Sequence, residues 1–561
     1  MVVRSEFPDL AIPDTDILTY LFPQSEVPSS TPSKPIWIDA SNPDRSLTGH
    51  QIQQWIGRFA VGMGRLGMEK GDVGMVFSPN HIYVPVAYLG FIAGGFVFSG
   101  TNPAYTLNEM IHQLKDTRAK ALLVHPSLFD TAAMACKQMK FPMDRLFWFS
   151  DEECAALGDV RDWRSILASE EETRDWRWPE LSGIEASQSI AAINYSSGTM
   201  GLPKGVCISH TNLIANAMQT IFMRNQGPSS PYATTMSAQG FERWVAFLPL
   251  YHAFGQLYTI LIACKLSIPV YILRNFKFTD WLEAIQRFRA TDLQVVPPVL
   301  VMLSKRPETK KYDLSSLKNI ACGGATLSSS LQNELGERFG VRIIQGYGMT
   351  ETTCGSVHGL TYMKELTGSV GMLAPNMKCK LVDEEGNESG VRGEVYLQGP
   401  NVCLGYWNNK VATEEIFNDG WLKTGDIATV NDDGLFHIVD RLKELIKVNG
   451  FQVAPAELEA VLLEHSDVAD VAVVGMTIDD VERPRAYVHL KEETKSIQSG
   501  IALVEWMKER VARHKWLTGG VSFVTEIPRL ASGKIMRKKV KDWAKEDALL
   551  LQRSLPARST L

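Results

Sequence analysis

Paired cysteines are missing from this chain. Its eight cysteines stand singly, and no two of them are separated by only two residues. Such spacing provides neither the ligand pattern of a structural zinc site nor a disulfide framework. Because several of the cysteines lie in apolar runs, we expect buried, reduced thiols in an intracellular protein.

An excess of basic residues is also missing. Lysine and arginine together number 57 against 63 acidic residues, which gives a formal net charge of -6. Proteins that bind nucleic acid usually have a basic face, so nucleic acid is not expected as a partner. With 45% hydrophobic and 21% charged residues, the composition is that of a globular enzyme, and 561 residues exceed one ordinary core.

The chain also has no long apolar run that is free of proline and glycine. Residues 73–108 contain no Asp, Glu, Lys or Arg, but prolines and glycines interrupt them. The run therefore predicts a strand (73–77), a helix (83–93) and a strand (96–99) in a buried core, instead of a membrane span. The N-terminus has no apolar core of signal-peptide length, so secretion is not expected.

Helical and short apolar segments alternate along the first 440 residues. Residues 47–68 show helical spacing with Thr48 as a cap, a second helix is predicted at 107–117, and a buried strand follows at 121–124. This alternation is typical of a layered α/β domain with largely parallel sheets. The polar stretch 224–239 is interpreted as a surface insertion.

A second region begins near Leu442. It predicts helices at 455–464 and 501–513 and strands at 468–474, 485–489 and 521–524. That is a compact α+β unit of about 120 residues, a normal domain size. The predicted fold is therefore α/β, with a large N-terminal domain of several subdomains (1–440) and a small, mobile α+β C-terminal domain (441–561).

One glycine-rich stretch, 195–205, organises the chain. It lies between the predicted strands 190–193 and 206–208 and combines three aliphatic hydroxyls, three glycines and Lys204. Backbone N–H and side-chain O–H groups in such a turn can converge on an anion, which points to a polyphosphate ligand. It is not a Walker A loop, because Lys204 is followed by Gly205 and not by Ser or Thr.

Other segments carry groups suited to a nucleotide. The run Gln345–Glu351 offers a tyrosine face for adenine, a threonine hydroxyl for a phosphate oxygen, and Glu351 as an oxygen ligand for the Mg²⁺ that accompanies ATP. Asp426, placed after a predicted turn, can accept both ribose hydroxyls, and Arg441 can contact the same ribose.

These segments together closely resemble the adenylate-forming enzymes, whose phosphate signature is roughly S-[SG]-G-[ST]-[ST]-G-x-P-K-G. The resemblance extends from Phe7 to Lys538 and is strongest to the coumarate-CoA ligases and the luciferase-like acyl-CoA synthetases, which share the 452–457 run. Three positions depart from the pattern: Met200 replaces a hydroxyl, Thr326 replaces a common proline, and Asn449 replaces a lysine.

The resemblance implies an AMP-forming acid–thiol ligase that uses ATP, Mg²⁺ and CoA. An aryl, cinnamic-type or medium-chain acid attacks the α-phosphorus of ATP to give acyl-AMP and pyrophosphate, and CoA then takes the acyl group. The family's C-terminal domain rotates between the two steps, which makes Lys443 the expected hinge.

The resemblance also implies roles for individual residues. The expected catalytic residues are Lys534, His252, Thr350 and Glu351, with Glu351 as the metal ligand. The expected nucleotide site comprises Ser196, Ser197, Gly198, Thr199, Gly201, Lys204, Gly324, Ala325, Gln345, Gly346, Tyr347, Gly348, Thr350, Asp426, Arg441 and Lys534. The acyl pocket is expected from Tyr251, His252, Phe254, Gly323 and Gly346, and CoA contacts are expected from Lys447, Gly450 and Gln452.

Several alternatives stay open at this stage. The enzyme could load a separate carrier protein in place of CoA, act as a luciferase-like oxidative enzyme, or be a silent adenylate sensor. A monomer or a homodimer is expected. The final Ser559-Thr560-Leu561 partly matches a peroxisomal address, so the cytosol and the peroxisome are both expected locations.

Overall fold

The computed structural model describes residues 2–23, 34–196, 203–226, 242–361, 364–448, 451–478, 481–491, 497–530 and 533–554. Its α-helices and the π-helical stretch 256–262 alternate with strands as the sequence predicts. The α-helices are Ile17–Leu21, Gly49–Arg65, Val84–Ala93, Leu107–Thr117, Phe129–Met139, Glu170–Thr173, Gly183–Gln188, His210–Arg224, Ala253–Gly255, Ala263–Leu266, Phe278–Phe288, Pro297–Lys305, Ser329–Phe339, Lys410–Ile416, Pro455–Glu464, Ile497–Lys508 and Arg537–Ser554.

The first sheet contains the two strands that flank the glycine-rich stretch. Its strands lie in the order Gly405–Tyr406, Lys204–Ser209, Ile190–Ser196, Val97–Thr101, Val73–Phe77, Ala121–Val124, Leu146–Trp148 and Arg161–Asp162. The uncharged run is buried throughout its two strands and its helix, as predicted. The helix begins at Val84 because Pro85 suits a first helical turn, and Thr48 caps the preceding helix as predicted.

The second sheet is also largely parallel. Its order is Met372–Leu373, Val357–His358, Arg342–Tyr347, Asn319–Cys322, Asp292–Val295, Trp244–Ala246, Val270–Ile272, Pro35–Asp39 and Ser46–Thr48. Strands from Arg342–Tyr347 to Pro35–Asp39 pair in parallel, and the outer strands are antiparallel. Parallel neighbours place the carboxyl ends of their strands at a single edge, where α/β proteins bind ligands.

The third sheet is antiparallel, so the prediction of largely parallel sheets is wrong for this part of the chain. It orders Val2–Arg4, Lys378–Val382, Arg392–Gln398, Trp421–Val430 and Phe417–Asn418, with Glu388–Ser389 and Phe436–Arg441 paired beside them. The alternating burial along Lys378–Val382 is typical of an antiparallel sheet that has one covered face. Asp426 lies within the strand Trp421–Val430, and not after a turn as predicted.

The C-terminal part is the α+β unit that the sequence predicts. Strands Val468–Ile478 and Val481–Leu490 pair antiparallel, Val521–Phe523 adds in parallel, and a short hairpin joins Ile446–Val448 to Phe451–Val453. The helix expected at 501–513 is in fact Ile497–Lys508. It ends early because Arg510 turns back and donates to the Trp506 carbonyl, which satisfies an end of the helix.

Arg224 does not begin a surface insertion, contrary to the prediction. It is the last residue of the helix His210–Arg224, and its guanidinium pairs with buried Glu242 and lies 5.0 Å from the Trp244 ring centroid. Both partners follow the polar stretch in the sequence, so local composition could not reveal them. Residues 227–239 of that stretch lie outside the described residues.

Two expectations about composition are met. All eight cysteines are free, and six of them are buried. Across the described ranges, no helix is both long and apolar enough to cross a membrane.

Candidate active site

A cavity opens beside three adjacent parallel strands of the second sheet, Asp292–Val295, Asn319–Cys322 and Arg342–Tyr347. The helical segment after His252 and the C-terminal end of the helix His210–Arg224 form further walls. Predicted site residues that line the cavity are His252, Phe254, Gly323, Gly324, Gln345, Gly346, Tyr347, Gly348, Thr350 and Lys534. Residues separated by almost 300 positions in the chain therefore meet around one cavity.

Several predicted residues of the nucleotide site and the acyl pocket do not line this cavity: Ser196, Lys204, Tyr251, Ala325, Glu351, Asp426 and Arg441. Tyr251 packs against Gly100, where an added Cβ would lie 2.8 Å from the Tyr251 Cβ. Ala325 follows Gly324 but is not among the lining residues. The assignment of Tyr251 to the acyl pocket stays a prediction.

Glycines shape the cavity where side chains would close it. A Cβ at Gly348 would lie 1.7 Å from the Cys354 carbonyl oxygen, so no other residue fits there. Gly324 has a φ of +86°, a conformation that favours glycine. A Cβ at Gly323 would lie 3.6 Å from the Phe254 ring, so a larger side chain there would fill the space next to that ring.

Asp426 is held from two sides. The Tyr347 hydroxyl donates to Oδ2 at 2.7 Å, and Arg441 Nε lies 3.2 Å from Oδ1. Burial, with the Asp426 charge added to it, raises the pKa of Tyr347 well above its usual value, so the phenol stays a donor. Each carboxylate oxygen can accept more than one hydrogen bond, so Asp426 keeps capacity for ribose hydroxyls.

Glu351 is tied to the strand that carries Lys204. The Tyr406 hydroxyl donates to Glu351 Oε1 at 2.8 Å, and Lys204 Nζ lies 4.9 Å from the centroid of the same Tyr406 ring. Tyr406 is in place because its strand pairs with Lys204–Ser209, with Val206 opposite Tyr406. Burial, followed by the Glu351 charge, raises the pKa of Tyr406 above its usual value.

The glycine-rich stretch connects two paired strands, as predicted. Ile190–Ser196 and Lys204–Ser209 form an antiparallel pair in which Ser196 stands opposite Lys204. The expected phosphate ligands Ser197, Gly198, Thr199 and Gly201 lie outside the described residues, as does Met200.

Lys534 comes from the C-terminal part of the chain and lines the cavity. Gly533 before it has a φ of +80°, and a Cβ there would lie 2.7 Å from Val296 Cγ2, so the backbone at Gly533 packs directly against the residue that follows the strand Asp292–Val295. Arg529 holds this turn, since it donates to the Gly533 carbonyl at 2.8 Å and to both carboxylate oxygens of Asp470. Burial, and next the charge of Arg441, lowers the pKa of Lys534.

His252 lines the cavity as a neutral imidazole. Its Nδ1 accepts the Phe254 N–H at 3.3 Å, which caps the short helix Ala253–Gly255. Burial, with a smaller effect of the Lys534 charge, lowers the pKa of His252 to about 4. At neutral pH this side chain therefore adds no positive charge to the site.

The residues expected to contact CoA lie elsewhere. Lys447 and Gln452 are paired in the C-terminal hairpin, Lys447 is exposed, and Gln452 Nε2 donates to Glu384 Oε1 at 2.5 Å. Neither residue lines the cavity that contains Lys534. Gly450 and Asn449 lie outside the described residues, and the expected hinge residue Lys443 is exposed.

Comparison with known families decides the membership of the chain. The model for AMP-binding enzymes matches residues 25–407, and the model for the C-terminal domain of AMP-binding enzymes matches residues 457–534. The chain belongs to the AMP-binding enzyme family. The predicted adenylate-forming family and the class of AMP-forming ligase are thereby confirmed.

Relatives in this family carry the names of CoA ligases. A probable 4-coumarate–CoA ligase 3 of Dictyostelium discoideum is 34% identical over 96% of this chain and 97% of its own length. The acyl-CoA synthetase ACTT5 of Alternaria alternata is 36% identical over 91% of this chain and 87% of its own length. The peroxisomal OPC-8:0-CoA ligase 1 of Arabidopsis thaliana is 34% identical over 95% and 94%.

Solved structures of adenylate-forming enzymes share the fold. An anthranilate CoA ligase AuaEII with anthranoyl-AMP superposes with a TM-score of 0.83 at 23% identity, covering 97% of this chain and 99% of that one. The amide bond synthetase McbA of Marinactinospora thermotolerans superposes with a TM-score of 0.76 at 26% identity, covering 91% of this chain and 97% of that one. The predicted fold class is confirmed.

Sequence reasoning missed three features of the site. Tyr406 and Arg529 hold Glu351 and the Lys534 turn, and the far wall of the cavity includes Thr220 and His358. Arg529 belongs to the segment that carries Lys534, but its ion-pair partner Asp470 is distant in the sequence, as Glu351 is from Tyr406. Thr220 and His358 belong to no motif. Only the strand pairing at Tyr406 or the ion pair at Arg529 could have pointed to them.

Proposed function

We propose that this AMP-binding enzyme joins a carboxylic acid to CoA through an acyl-AMP intermediate. The observation that carries the proposal is that Lys534, from the C-terminal part, lines the same cavity as His252, Tyr347 and Thr350. The names of the relatives, among them a probable 4-coumarate–CoA ligase and an acyl-CoA synthetase, support CoA as the acceptor.

In the first step, an oxygen of the acid attacks the α-phosphorus of ATP, and the bond to the β-phosphate breaks with release of pyrophosphate. Tyr347 faces adenine, Asp426 and Arg441 bind the ribose, and the hairpin with Ser196 and Lys204 binds the leaving phosphates. Lys534 lies where it can bridge the acid carboxylate and the α-phosphate. Bringing two anions together dominates this barrier, so a positioned cation lowers it.

The donor set fits one Mg²⁺ that arrives with ATP. Within the described residues, no group of three or more His, Cys, Asp or Glu side chains is arranged around a metal position. Glu351 is 5% exposed, and Tyr406 donates to only one of its two carboxylate oxygens, so the other oxygen is available to bind a cation. Mg²⁺ is commonly bound by one or two carboxylates together with substrate phosphates, and it would neutralise phosphate charge here.

In the second step, the thiol sulfur of CoA attacks the acyl carbon and AMP leaves. Lys447 and Gln452 must reach the cavity for this step, whereas Lys534 must leave it, so the C-terminal domain rotates about Lys443. Several contacts between the two parts would have to be broken. Lys305 Nζ donates to the Leu463 carbonyl at 2.7 Å, Ser330 Oγ donates to Glu464 at 3.1 Å, and Gln452 donates to Glu384.

The boundary between residues 440 and 441, the hinge at Lys443 and the choice between monomer and homodimer stay predictions. So does the choice between cytosol and peroxisome, although the name of the Arabidopsis relative supports the peroxisomal alternative.

The test supplies MgATP, a panel of aryl, cinnamic and medium-chain acids, and CoA, and measures pyrophosphate release and thioester mass. We expect at least one acid to give pyrophosphate without CoA and a CoA thioester with it. Acyl-AMP that is discharged only by an added carrier protein would favour the carrier alternative. Light emission with luciferin and oxygen would favour the oxidative one, and absence of pyrophosphate with every acid would contradict adenylation altogether.

A further inference from the structure

The far wall of the cavity is formed by two segments that run side by side. The Asn216 side chain donates to the Gly355 carbonyl at 2.6 Å and accepts the Gly355 N–H at 3.2 Å. Two helical turns later, the Arg224 carbonyl accepts a hydrogen bond from Thr361 Oγ1 at 3.0 Å. Thr220 lies one turn from each of these contacts on the same helix face, so it faces the middle of the segment 355–361.

In the described part of the chain, two polar groups of this wall have no hydrogen-bond partner. Thr220 Oγ1 and His358 Nε2 are buried and make no hydrogen bond within the described part of the chain. Thr220 is 0% exposed, His358 is 9% exposed, and both residues belong to the cavity wall. Leaving a buried polar group unpaired costs free energy, so native proteins rarely do it without a reason.

Apolar residues line the cavity as well, among them Met223, Leu257, Leu293 and Ile344. The lining residues Arg224 and Thr361 already have partners within the protein. An acid with a wholly apolar body would therefore leave Thr220 and His358 unpaired. Burial lowers the pKa of His358 to about 4, so its ring is neutral and offers one N–H donor and one acceptor nitrogen.

The two polar groups lie away from the reacting end. His252 directly precedes a helical segment, and the charge of Lys534 contributes to lowering its pKa. Tyr258 lies within that segment, and the charge of Arg224 acts on its pKa. The six residues from His252 to Tyr258 correspond to about 9 Å along a helix axis. Because Arg224 is one turn from Thr220, an acid whose carboxylate meets Lys534 would extend towards Thr220.

We propose that the acid substrate carries an oxygen at the end remote from its carboxylate, a hydroxyl or a carbonyl, that hydrogen-bonds to Thr220 and His358. A hydroxyl would donate to one of these side chains and accept from the other, and a carbonyl would accept from both. This inference rests on the proposed function and narrows it to a class of oxygenated acids.

The test uses non-reactive acyl-AMP mimics, N-acyl sulfamates of adenosine, whose affinities are measured by calorimetry. Two matched pairs differ only in the remote oxygen: cinnamoyl against 4-hydroxycinnamoyl, and octanoyl against 8-hydroxyoctanoyl. We expect at least one oxygenated mimic to bind 10-fold or more tightly than its partner, because a site with unpaired polar groups discriminates against a ligand that cannot pair them.

Variants assign the effect to the two side chains. Thr220→Val keeps the shape of the side chain and removes its hydroxyl, and His358→Leu removes the imidazole. Each variant should bring the ratio of affinities for the oxygenated and the plain mimic close to one. Thr220→Val should not lower the thermal midpoint of the unliganded protein, since no hydrogen bond is lost. The matched control is Thr101→Val, which removes another buried, unpartnered hydroxyl outside the cavity wall and should leave the ratio unchanged.

The possible failures are distinguishable. If all mimics bind and both pairs have equal affinities, the proposed function stands and the remote-oxygen inference is wrong. If the ratio persists in both Thr220→Val and His358→Leu, the discriminating groups lie elsewhere and the inference is likewise wrong. If neither adenosine sulfamate pair binds, the adenylate site itself is contradicted, and the inference falls with it.

Discussion

The two ends of the cavity differ in how their polar side chains are satisfied. At the nucleotide end, Asp426 accepts a hydrogen bond from Tyr347 and forms an ion pair with Arg441. Glu351 accepts a hydrogen bond from Tyr406. At the far end, Thr220 and His358 each present a buried polar atom without a partner among the described residues. The nucleotide end is therefore pre-organised by the protein itself, whereas the far end is completed only by a ligand.

This difference separates what the family shares from what this chain selects. ATP is common to adenylate-forming reactions, so its site gains from side chains that are fixed in advance. The acid differs between enzymes, and the far end of its site includes Thr220 and His358, which lie outside the motifs. Variants at the nucleotide end should therefore slow adenylation of every acid, and variants at the far end should change the choice of acid.

Lys534→Ala should have the largest effect. It removes the cation that bridges the two reacting anions, and we expect acyl-AMP formation to fall by about 100- to 1000-fold, the usual cost of losing one positioned donor. Turnover of supplied acyl-AMP with CoA should stay within about threefold, because Lys534 is not expected at the site in that step. Rapid-quench measurement of pyrophosphate and thioester checks both.

Lys538→Ala is the matched control for that variant. Lys538 is exposed four residues further along, at the start of the last helix, and its removal should change neither half-reaction appreciably. An equal loss of both half-reactions in Lys534→Ala would contradict the division of labour between the two faces of the C-terminal domain.

Tyr406→Phe should have the next largest effect. The ring near Lys204 remains, but Glu351 loses the hydroxyl that orients it, and partners of metal ligands are typically worth 10- to 100-fold. We expect about a 10-fold loss of kcat/KM for ATP and a shift of the Mg²⁺ titration to higher concentration. Tyr396→Phe, on the third sheet, is the control, and an unchanged Mg²⁺ titration in Tyr406→Phe would show that Glu351 is not the metal ligand.

Tyr347→Phe should have a smaller effect that is confined to ATP. It removes one hydrogen bond to Asp426 and leaves the Arg441 contact and the aromatic face. A single hydrogen bond contributes about 1 kcal/mol, so KM for ATP should rise about fivefold while KM for the acid and for CoA stays unchanged. Steady-state kinetics with each substrate varied in turn measures this, and an equal rise for the acid would place Tyr347 in the acyl pocket.

The sequence predicts those parts of the site that depend on local pattern. The paired strands around 195–205, the cap at Thr48 and the helix Leu107–Thr117 follow from hydrophobic period and turn chemistry. Tyr406 could not be predicted in this way, because it reaches Glu351 only through strand pairing with Val206, 200 positions earlier. Thr220 and His358 likewise line one cavity from a helix and a strand that no local signal connects.

The last expected effect concerns the stability of the protein in acid, which depends on its buried histidines. Burial lowers the pKa of His81 to about 3 and that of His210, His252 and His358 to about 4, against 6.5 for an unburied group. Between pH 6.5 and about 4 the unfolded chain therefore binds more protons than the folded chain, and stability falls as the pH falls. Each such histidine changes the free energy of unfolding by at most about 1.4 kcal/mol per pH unit in this window.

His358→Leu tests whether the far end of the cavity contributes to that acid sensitivity. The variant removes one buried histidine that has no hydrogen bond to lose at Nε2, so the drop in the urea midpoint between pH 7 and pH 5 should become shallower than in the unmodified protein. His50→Leu, at an exposed helical position, should leave the drop unchanged. An unaltered drop in His358→Leu would mean that His358 has a partner in solution, and the contrast between the two ends of the cavity would disappear with it.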